Sequence, residues 1–359
     1  MKPRVEKLLG LLEERGLQAL FVTGPENRLY LSGFSGSSGA LFITGEALYL
    51  IVDFRYAVQA GMECPHLTVV ELAAGKSPAD VLAELAEKHR LKNIGCEGDH
   101  LTLNQFESLK KKLPGTELIA TGGLVEGLRM VKEEAEIRLI EEAVRLAELS
   151  FKEVLPAVKP GISERELAVE LEYKMRRHGA EGAAFKVIVA SGYRSALPHG
   201  VASDKRVQAG DLVTFDFGAV YRGYCSDITR TVAVGRPDER QREIYSIVLK
   251  AQQKALDGIR AGVKASEVDA LARGVIEAAG YGQCFGHSTG HGVGLCVHER
   301  PRLACGEDTI LTGGMVVTVE PGIYLPGWGG VRIEDTVLVT EKGCRVLSSL
   351  PKEEMPLLC

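Results

Sequence analysis

Two aspartates stand where apolar side chains belong. The stretch Asp211–Thr231, D-L-V-T-F-D-F-G-A-V-Y-R-G-Y-C-S-D-I-T-R-T, puts Asp216 and Asp227 in a β-like context on either side of a glycine-containing turn. Burying an unpaired carboxylate is costly unless the group is paired, hydrogen-bonded or bound to a metal. Two of them on neighbouring strands repel each other, so any fold that adopts these strands has to set something cationic between the acids.

The same pattern occurs again downstream. Gly210 precedes Asp216 at the interval by which Gly314 precedes Glu320, Gly218 and Gly322 follow the two acids alike, and Asp227-Ile228-Thr229 matches Glu334-Asp335-Thr336. The segments ahead of the acids repeat as well. Pro160-Gly161-Ile162-Ser163 is echoed by Ala261-Gly262-Val263-Lys264, each leading into a helix that ends near a glycine, Gly179 or Gly280. Ser163 with Glu166 and Ser266 with Asp269 are expected as capping boxes. A duplicated α/β unit brings two carboxylate pairs, Asp216 with Asp227 and Glu320 with Glu334, to one pseudo-twofold axis.

Upstream of the duplication the chain alternates differently. Helices are expected over residues 4–15, 77–90 and 103–112, and strands over 18–23, 40–44, 47–52, 93–97 and 117–121, with a Gly/Ser-rich loop at 31–39. This is a small α/β domain. Gly122-Gly123 opens the best linker, and from Glu133 a long amphipathic helix begins, with Ile137, Ile140, Val144, Ala147, Phe151 and Leu155 at helical spacing. The boundary falls between residues 122 and 132, dividing a domain of residues 1–125 from one of residues 126–359.

The composition narrows the function. A chain of 359 residues with a net charge of −5 lacks the basic footprint of a nucleic-acid or anionic-membrane binder. Its apolar runs stop well short of the roughly 20 residues that span a bilayer, and its first residues lack a signal-peptide core. The eight cysteines include no C-x-x-C pair and are scattered, the pattern of reduced thiols in a cytoplasmic protein.

Four facing carboxylates require cations. Oxygen-rich ligation with one or two imidazoles suits divalent ions, Mn²⁺ first and also Co²⁺, Fe²⁺ or Zn²⁺. Carboxylates shared by two such ions hold them roughly 3.5–4 Å apart, an arrangement in which a bridging water becomes a hydroxide nucleophile near neutral pH. Four histidines lie nearby: His199 in L-P-H-G, and His287, His291 and His298 in F-G-H-S-T-G-H-G-V-G-L-C-V-H-E. Gly290 and Gly292 flank His291, so its backbone can approach a crowded centre. The glycine-rich segment has neither G-x-G-x-x-G spacing nor a Walker lysine, which discounts phosphate binding.

The motifs P-H-G from Pro198, T-F-D-F-G-A from Thr214, C-S-D-I-T-R-T from Cys225, T-G-H-G-V-G-L-C-V-H-E from Thr289, V-E-P-G-I-Y from Val319 and V-R-I-E-D-T from Val331 resemble the creatinase/prolidase/methionine-aminopeptidase superfamily. The Xaa-Pro peptidase branch, aminopeptidase P and prolidase, is the most similar. Y-L-S-G-F-S-G-S-S-G from Tyr30 resembles that branch's companion domain. The resemblance implies an α+β "pita-bread" catalytic domain with an internal pseudo-twofold repeat, behind a smaller creatinase-type α/β domain. It implies two divalent ions held by Asp216, Asp227, His291, Glu320 and Glu334, with Asp227 and Glu334 bridging. Glu320 would also act as acid/base, His199 and His298 would hold the substrate carbonyl and tetrahedral intermediate, and Arg332 would be a cation beside the centre. The implied substrate is a proline-containing peptide, cleaved at the Xaa-Pro bond of a dipeptide or of a longer N-terminus. The implied assembly is a homodimer in which the 32–39 loop reaches the partner's site. Intact ligand positions speak against a creatinase and against a catalytically silent binding protein; an aminopeptidase of other specificity is the alternative within the family. Trp328, between the acid strands, is open to a pocket-wall or a packing role, and His287 to packing near the ligands.

Overall fold

Short apolar runs separated by capped helices build a mixed six-stranded sheet in the first part of the chain, seen in a computed structural model that describes residues 2–358. Contacts divide the chain into two units, one ending at Arg129 and the other beginning at Met130. In the first unit the strands run in the order Thr68–Glu71, Leu48–Val52, Ala40–Thr44, Ala19–Val22, Asn93–Glu97, Glu117–Thr121. Ala19–Val22 and Ala40–Thr44 are buried along their whole length, which is why they read as continuous apolar runs rather than alternating ones. Ser77 with Asp80 and Thr102 with Gln105 close capping boxes on helices Pro78–Lys88 and Leu103–Lys112.

The expected loop at 31–39 is only partly a loop. A helix, Pro25–Ser32, runs into it and ends at Gly33, whose φ of 80° suits a left-handed cap. Buried Arg28 then donates to Gly36 O at 2.6 Å and Gly39 O at 2.8 Å, fixing the Gly/Ser segment from within. The helix escaped periodicity because its buried face includes Asn27 and Arg28, held by hydrogen bonds rather than by apolar packing. Helix Ala57–Glu63 and edge strand Thr68–Glu71 were also not legible; the strand is nowhere fully buried.

The second unit contains the duplication. Helices Glu134–Val154 and Glu164–Arg177 belong to its first half, and Glu239–Gly258 and Ala265–Ala278 to its second. In the first half Leu212–Phe217 pairs antiparallel with Ile228–Val234, setting Thr229 opposite Asp216, and Phe151 of the long helix stacks on Phe217 with ring centroids 5.0 Å apart. In the second half Val316–Val319 pairs antiparallel with Asp335–Val339. Its core gathers Ile244, Val248, Val268 and Ile276 from the helices against Val317, Val319 and Val337 from the sheet. The repeated glycines share a conformation, with φ of 87° at Gly210 and 92° at Gly314.

One detail of the repeat is corrected. Ser163 forms the expected box with Glu166, but Ser266 does not cap with Asp269. The helix begins two residues earlier than a Ser266 cap requires, at Ala265 with Lys264 as its N-cap, and the Asp269 carboxylate instead accepts from Thr289 and Arg273. Pairing with an arginine and a buried hydroxyl satisfies both carboxylate oxygens, which one cap amide does not.

Candidate metal centre and active site

The acids converge because each half delivers them at a strand terminus. Asp216 lies near the end of Leu212–Phe217 and Asp227 just before Ile228–Val234; Glu320 directly follows Val316–Val319 and Glu334 directly precedes Asp335–Val339. Donor atoms of Asp227, His291 and Glu334, all buried, lie within 4.8 Å of one another. His291 Nε2 is 3.3 Å from Glu320 Oε1 and 3.6 Å from Asp227 Oδ2. Its other nitrogen, Nδ1, lies 3.1 Å from Gly292 O, a contact that leaves Nε2 facing the acids. Asp216 is drawn to the other side, its Oδ2 accepting from Arg332 Nη2 at 2.7 Å.

The glycines beside His291 are required. A Cβ on Gly290 would stand 2.0 Å from Thr318 O, and one on Gly292 2.2 Å from Arg300 O. Threonines steer the acids: Thr229 Oγ1 donates to Glu334 Oε2 at 2.6 Å, Thr336 Oγ1 to Asp227 O at 2.7 Å, and Thr318 Oγ1 to Glu320 Oε1 at 3.3 Å.

Crowding and burial shift the protonation of the acids in different directions. Burial, then the charges of Glu334, Asp216 and Glu320, push Asp227 well above the carboxylate range. Burial, then Glu320 and Asp216, do the same to Glu334. Burial also raises Asp216, against the opposing charge of Arg332. Glu320 goes the other way: burial opposes ionisation, but His291, which hydrogen-bonds it, and the charge of Arg332 hold it below its ordinary value. Two buried oxygens, Asp227 Oδ1 and Glu334 Oε1, have no hydrogen-bond partner. Buried carboxylate oxygens without partners, on acids close to an imidazole nitrogen, make a donor set for a divalent cation, and the residues present fit such an ion.

The remaining predicted residues lie around this core. The His298 ring stands edge-on to His291 with centroids 4.4 Å apart, and its side is open to solvent. His199 is likewise exposed, and the carbonyl of its neighbour Pro198 accepts from Arg332 Nη1 at 3.2 Å. Arg332 is buried and also donates to Thr229 Oγ1 at 3.1 Å and Tyr324 Oη at 2.8 Å. Tyr324 has no counterpart among the residues expected from sequence. Its hydroxyl lies 2.8 Å from His287 Nε2, so His287 reaches the centre through Tyr324 and Arg332. A tyrosine in G-I-Y-L carries no spacing signal; only the hairpin of Gly322–Leu325 with Gly329–Arg332 brings it to Arg332. His287 also lines an open cavity of about 450 Å³ with Arg273, Arg302 and Cys305. Trp328 packs against the second-half core, with the Arg240 guanidinium 4.9 Å above its ring.

A duplicated α/β unit that brings buried Asp227, His291 and Glu334 within 4.8 Å of one another, with Glu320 against His291 and the exposed His298 ring beside it, defines a metal-dependent hydrolase. Residues 138–341 match Metallopeptidase family M24 and residues 4–131 match the Creatinase/Prolidase N-terminal domain. The chain belongs to that family, a metallo-exopeptidase with the pita-bread fold behind a creatinase-type domain. It is 42% identical over 355 residues to an Xaa-Pro dipeptidase of Pyrococcus furiosus, covering 98% of this chain and 99% of that one. It superposes on an Xaa-Pro dipeptidase from Bacillus anthracis with a TM-score of 0.96 at 45% identity, covering 99% of both chains. An X-Pro aminopeptidase from Thermotoga maritima gives a TM-score of 0.91 at 41% identity, covering 99% of this chain and 100% of that one. Among the described residues no helix is long and apolar enough to cross a membrane.

Proposed function

We propose that this chain hydrolyses Xaa-Pro dipeptides with divalent metal, residues 1–125 forming its companion domain and 126–359 its catalytic one. The observation that carries the reading is that donor atoms of Asp227, His291 and Glu334 lie within 4.8 Å of one another while two buried oxygens of these acids, Asp227 Oδ1 and Glu334 Oε1, have no hydrogen-bond partner. Asp227 and Glu334 would be shared by two ions, Mn²⁺ first, with Asp216 completing one set and His291 and Glu320 the other. Bound divalent ions supply a Lewis acid and a lowered pKa for water.

The chain's own groups do the rest. Glu320, held ionised, accepts a proton at Oε1 and returns it to the leaving proline nitrogen. His298 and His199, on the rim, hydrogen-bond the substrate carbonyl and the oxyanion that develops from it. Arg332 holds Asp216 through Nη2 and reaches Pro198 O through Nη1, tying the His199 loop to the acid strand. Burial lowers His287 from its ordinary value, which favours a neutral ring that accepts from Tyr324.

The tertiary amide before proline has no N–H, so a peptidase for this bond recognises the ring rather than an amide donor. Relatives named as dipeptidases and as an aminopeptidase share the fold, and the dipeptidases favour the dipeptide reading. Free cysteines at all seven described positions favour a cytoplasmic location. The assembly we propose is a homodimer, with exposed Ser35, Ser37 and Ser38 of the anchored Gly/Ser segment facing the partner. The test is hydrolysis of an Xaa-Pro dipeptide against an Xaa-Pro tripeptide by metal-stripped protein supplied with Mn²⁺, Co²⁺ or Zn²⁺. Cleavage of the dipeptide alone is expected, and no cleavage of either peptide with any ion sinks the reading. A monomer in sedimentation removes the dimer.

A further inference from the structure

Directly behind the acid centre lies a second buried charge cluster, on the far side of the strands that carry Asp227 and Glu334. Arg230 and Asp335 are each 1% exposed and meet at 2.8 Å. Arg230 spreads its guanidinium over both halves of the duplication. Nη1 donates to the carbonyls of Thr229 and Glu334, and Nη2 to the Asp335 carboxylate and to Leu350 O at 2.7 Å. Each Asp335 oxygen has a further donor: Ser348 Oγ at 2.6 Å on Oδ1, Gln252 Nε2 at 2.7 Å on Oδ2. Lys352 Nζ then joins Oδ2 and bonds Gln252 Oε1 at 2.9 Å.

Three of these groups, Ser348, Leu350 and Lys352, come from one C-terminal segment, and that segment is tied down from both halves. Glu148 of the first long helix accepts from Ser349 and from Leu350 N. Tyr245 of helix Glu239–Gly258 donates to Lys352 O at 2.9 Å. Leu357–Leu358 then adds a parallel strand beside Ile228–Val234.

The cluster breaks the internal symmetry. In the repeat Asp335 corresponds to Ile228 and Arg230 to Val337, so the equivalent positions in the opposite halves are apolar. An apolar pair at this site packs without charge, and a buried ion pair is no general route to stability. What the ion pair adds is direction. Arg230 grips the Glu334 carbonyl while its neighbour Thr229 grips Glu334 Oε2, so the acid is fixed at both ends from one strand.

We infer that Lys352 is a positioning residue for the metal centre, acting through Asp335 and Arg230 to hold the Glu334 carboxylate against Asp227. This rests on the reading of Asp227 and Glu334 as metal-holding acids. Two effects of Lys352 oppose each other. Its positive charge disfavours a nearby cation, whereas its positioning of Glu334 favours one. Removing it therefore tells them apart.

The experiment is titration of Mn²⁺ into stripped full-length protein, read as a dissociation constant well below the melting temperature, for wild type, Lys352→Met, Lys352→Arg and Asp227→Asn. Lys352→Met is expected to weaken Mn²⁺ binding about tenfold or more, as loss of groups that orient ligands does. Lys352→Arg, which keeps the charge on Asp335, is expected to restore most of it. Unchanged or tighter binding by Lys352→Met overturns the inference, even if its melting temperature falls. Should Lys352→Met not fold, Ser348→Ala removes one hydrogen bond from Asp335 and no charge. It is expected to weaken Mn²⁺ binding in the same direction, and unchanged binding there overturns the inference as well. Failure of wild type to bind Mn²⁺, or retention of Mn²⁺ by Asp227→Asn, instead refutes the metal-centre reading, and the inference falls with it.

Discussion

The hydroxyl of Thr229, from the first half of the duplicated unit, donates at 2.6 Å to Glu334 Oε2 in the second half. The same oxygen receives Arg332 Nε at 3.1 Å, so it links the acid of one half to the cation beside Asp216. Replacing it by a methyl group of similar volume, Thr229→Val, leaves Glu334 Oε2 and Arg332 Nε without their partner. We expect metal affinity to fall about 10–100-fold, checked by titration, with turnover recovering in excess metal.

Asp227→Asn separates function from stability. The carboxylate is driven well above its ordinary value by burial and by Glu334, Asp216 and Glu320, so its ionised form opposes folding when no cation is present. A neutral amide removes that repulsion. The metal-free variant is expected to melt higher than metal-free wild type, by about 2–4 °C for each kcal/mol relieved, while its metal content and turnover are lost. Calorimetry with elemental analysis checks both, and a variant that keeps its metal would falsify the assignment.

The same acids set a pH dependence. Asp227 and Glu334, ordinarily at 3.8 and 4.5, are both raised in the metal-free fold. Above those ordinary values the folded chain binds more protons than the unfolded one, so this contribution to stability declines as pH rises toward the raised folded values. A cation needs both acids ionised and displaces their protons. The rise in melting temperature on adding Mn²⁺ is therefore expected to grow as pH rises above those ordinary values, with proton release on binding. Thermal scans with and without metal measure it; a rise that shrinks with pH contradicts it.

Tyr324→Phe tests the relay from His287 to Arg332. Burial pushes the phenol up to about 12, so it is a neutral hydroxyl near neutral pH and exchanges no proton with substrate. Its loss removes partners 2.8 Å away on both sides. We expect kcat/KM to fall about 5–30-fold, the effect of one to two kcal/mol. The neutral limb of the pH profile should stay in place; a displaced limb would assign Tyr324 a proton-transfer role.

Gly290→Ala is expected to be severe although it adds a single methyl group. The new Cβ meets Thr318 O at 2.0 Å, and a strand backbone cannot yield as a flexible side chain does. Overpacking of this kind costs about 1–3 kcal/mol or more, and the displaced neighbour is His291. Lower melting temperature together with weaker Mn²⁺ binding is the expected outcome, and wild-type values for both would contradict it.

What could be read along the chain was whatever is written in period and interval. The capped helices, the fully buried strands and the recurrence of Asp216/Asp227 in Glu320/Glu334 follow from side chains spaced along one segment. Helix Pro25–Ser32 lacks an apolar period because its buried face mixes Tyr30 and Leu31 with Asn27 and Arg28, which are satisfied from outside the helix, Asn27 by Glu97 and Arg28 by the carbonyls of Gly36 and Gly39. The box proposed for Ser266 failed for a related reason: Asp269 had better partners in Arg273 and Thr289 than a cap offered.

By itself, then, the sequence determined that two acid pairs recur in a duplicated α/β unit, and that glycines flank the histidine between them. Only the tertiary structure decided which oxygen faces which donor. It turned Asp216 toward Arg332, left Asp227 Oδ1 and Glu334 Oε1 without partners, put Tyr324 between His287 and Arg332, and set Lys352 behind Glu334 through Asp335. Periodicity reports which face of an element is buried. Thr229 and Glu334, or Arg230 and Leu350, are brought together by the packing of two halves far apart in the chain, and a hydrogen bond's direction depends on coordinates that local spacing does not carry.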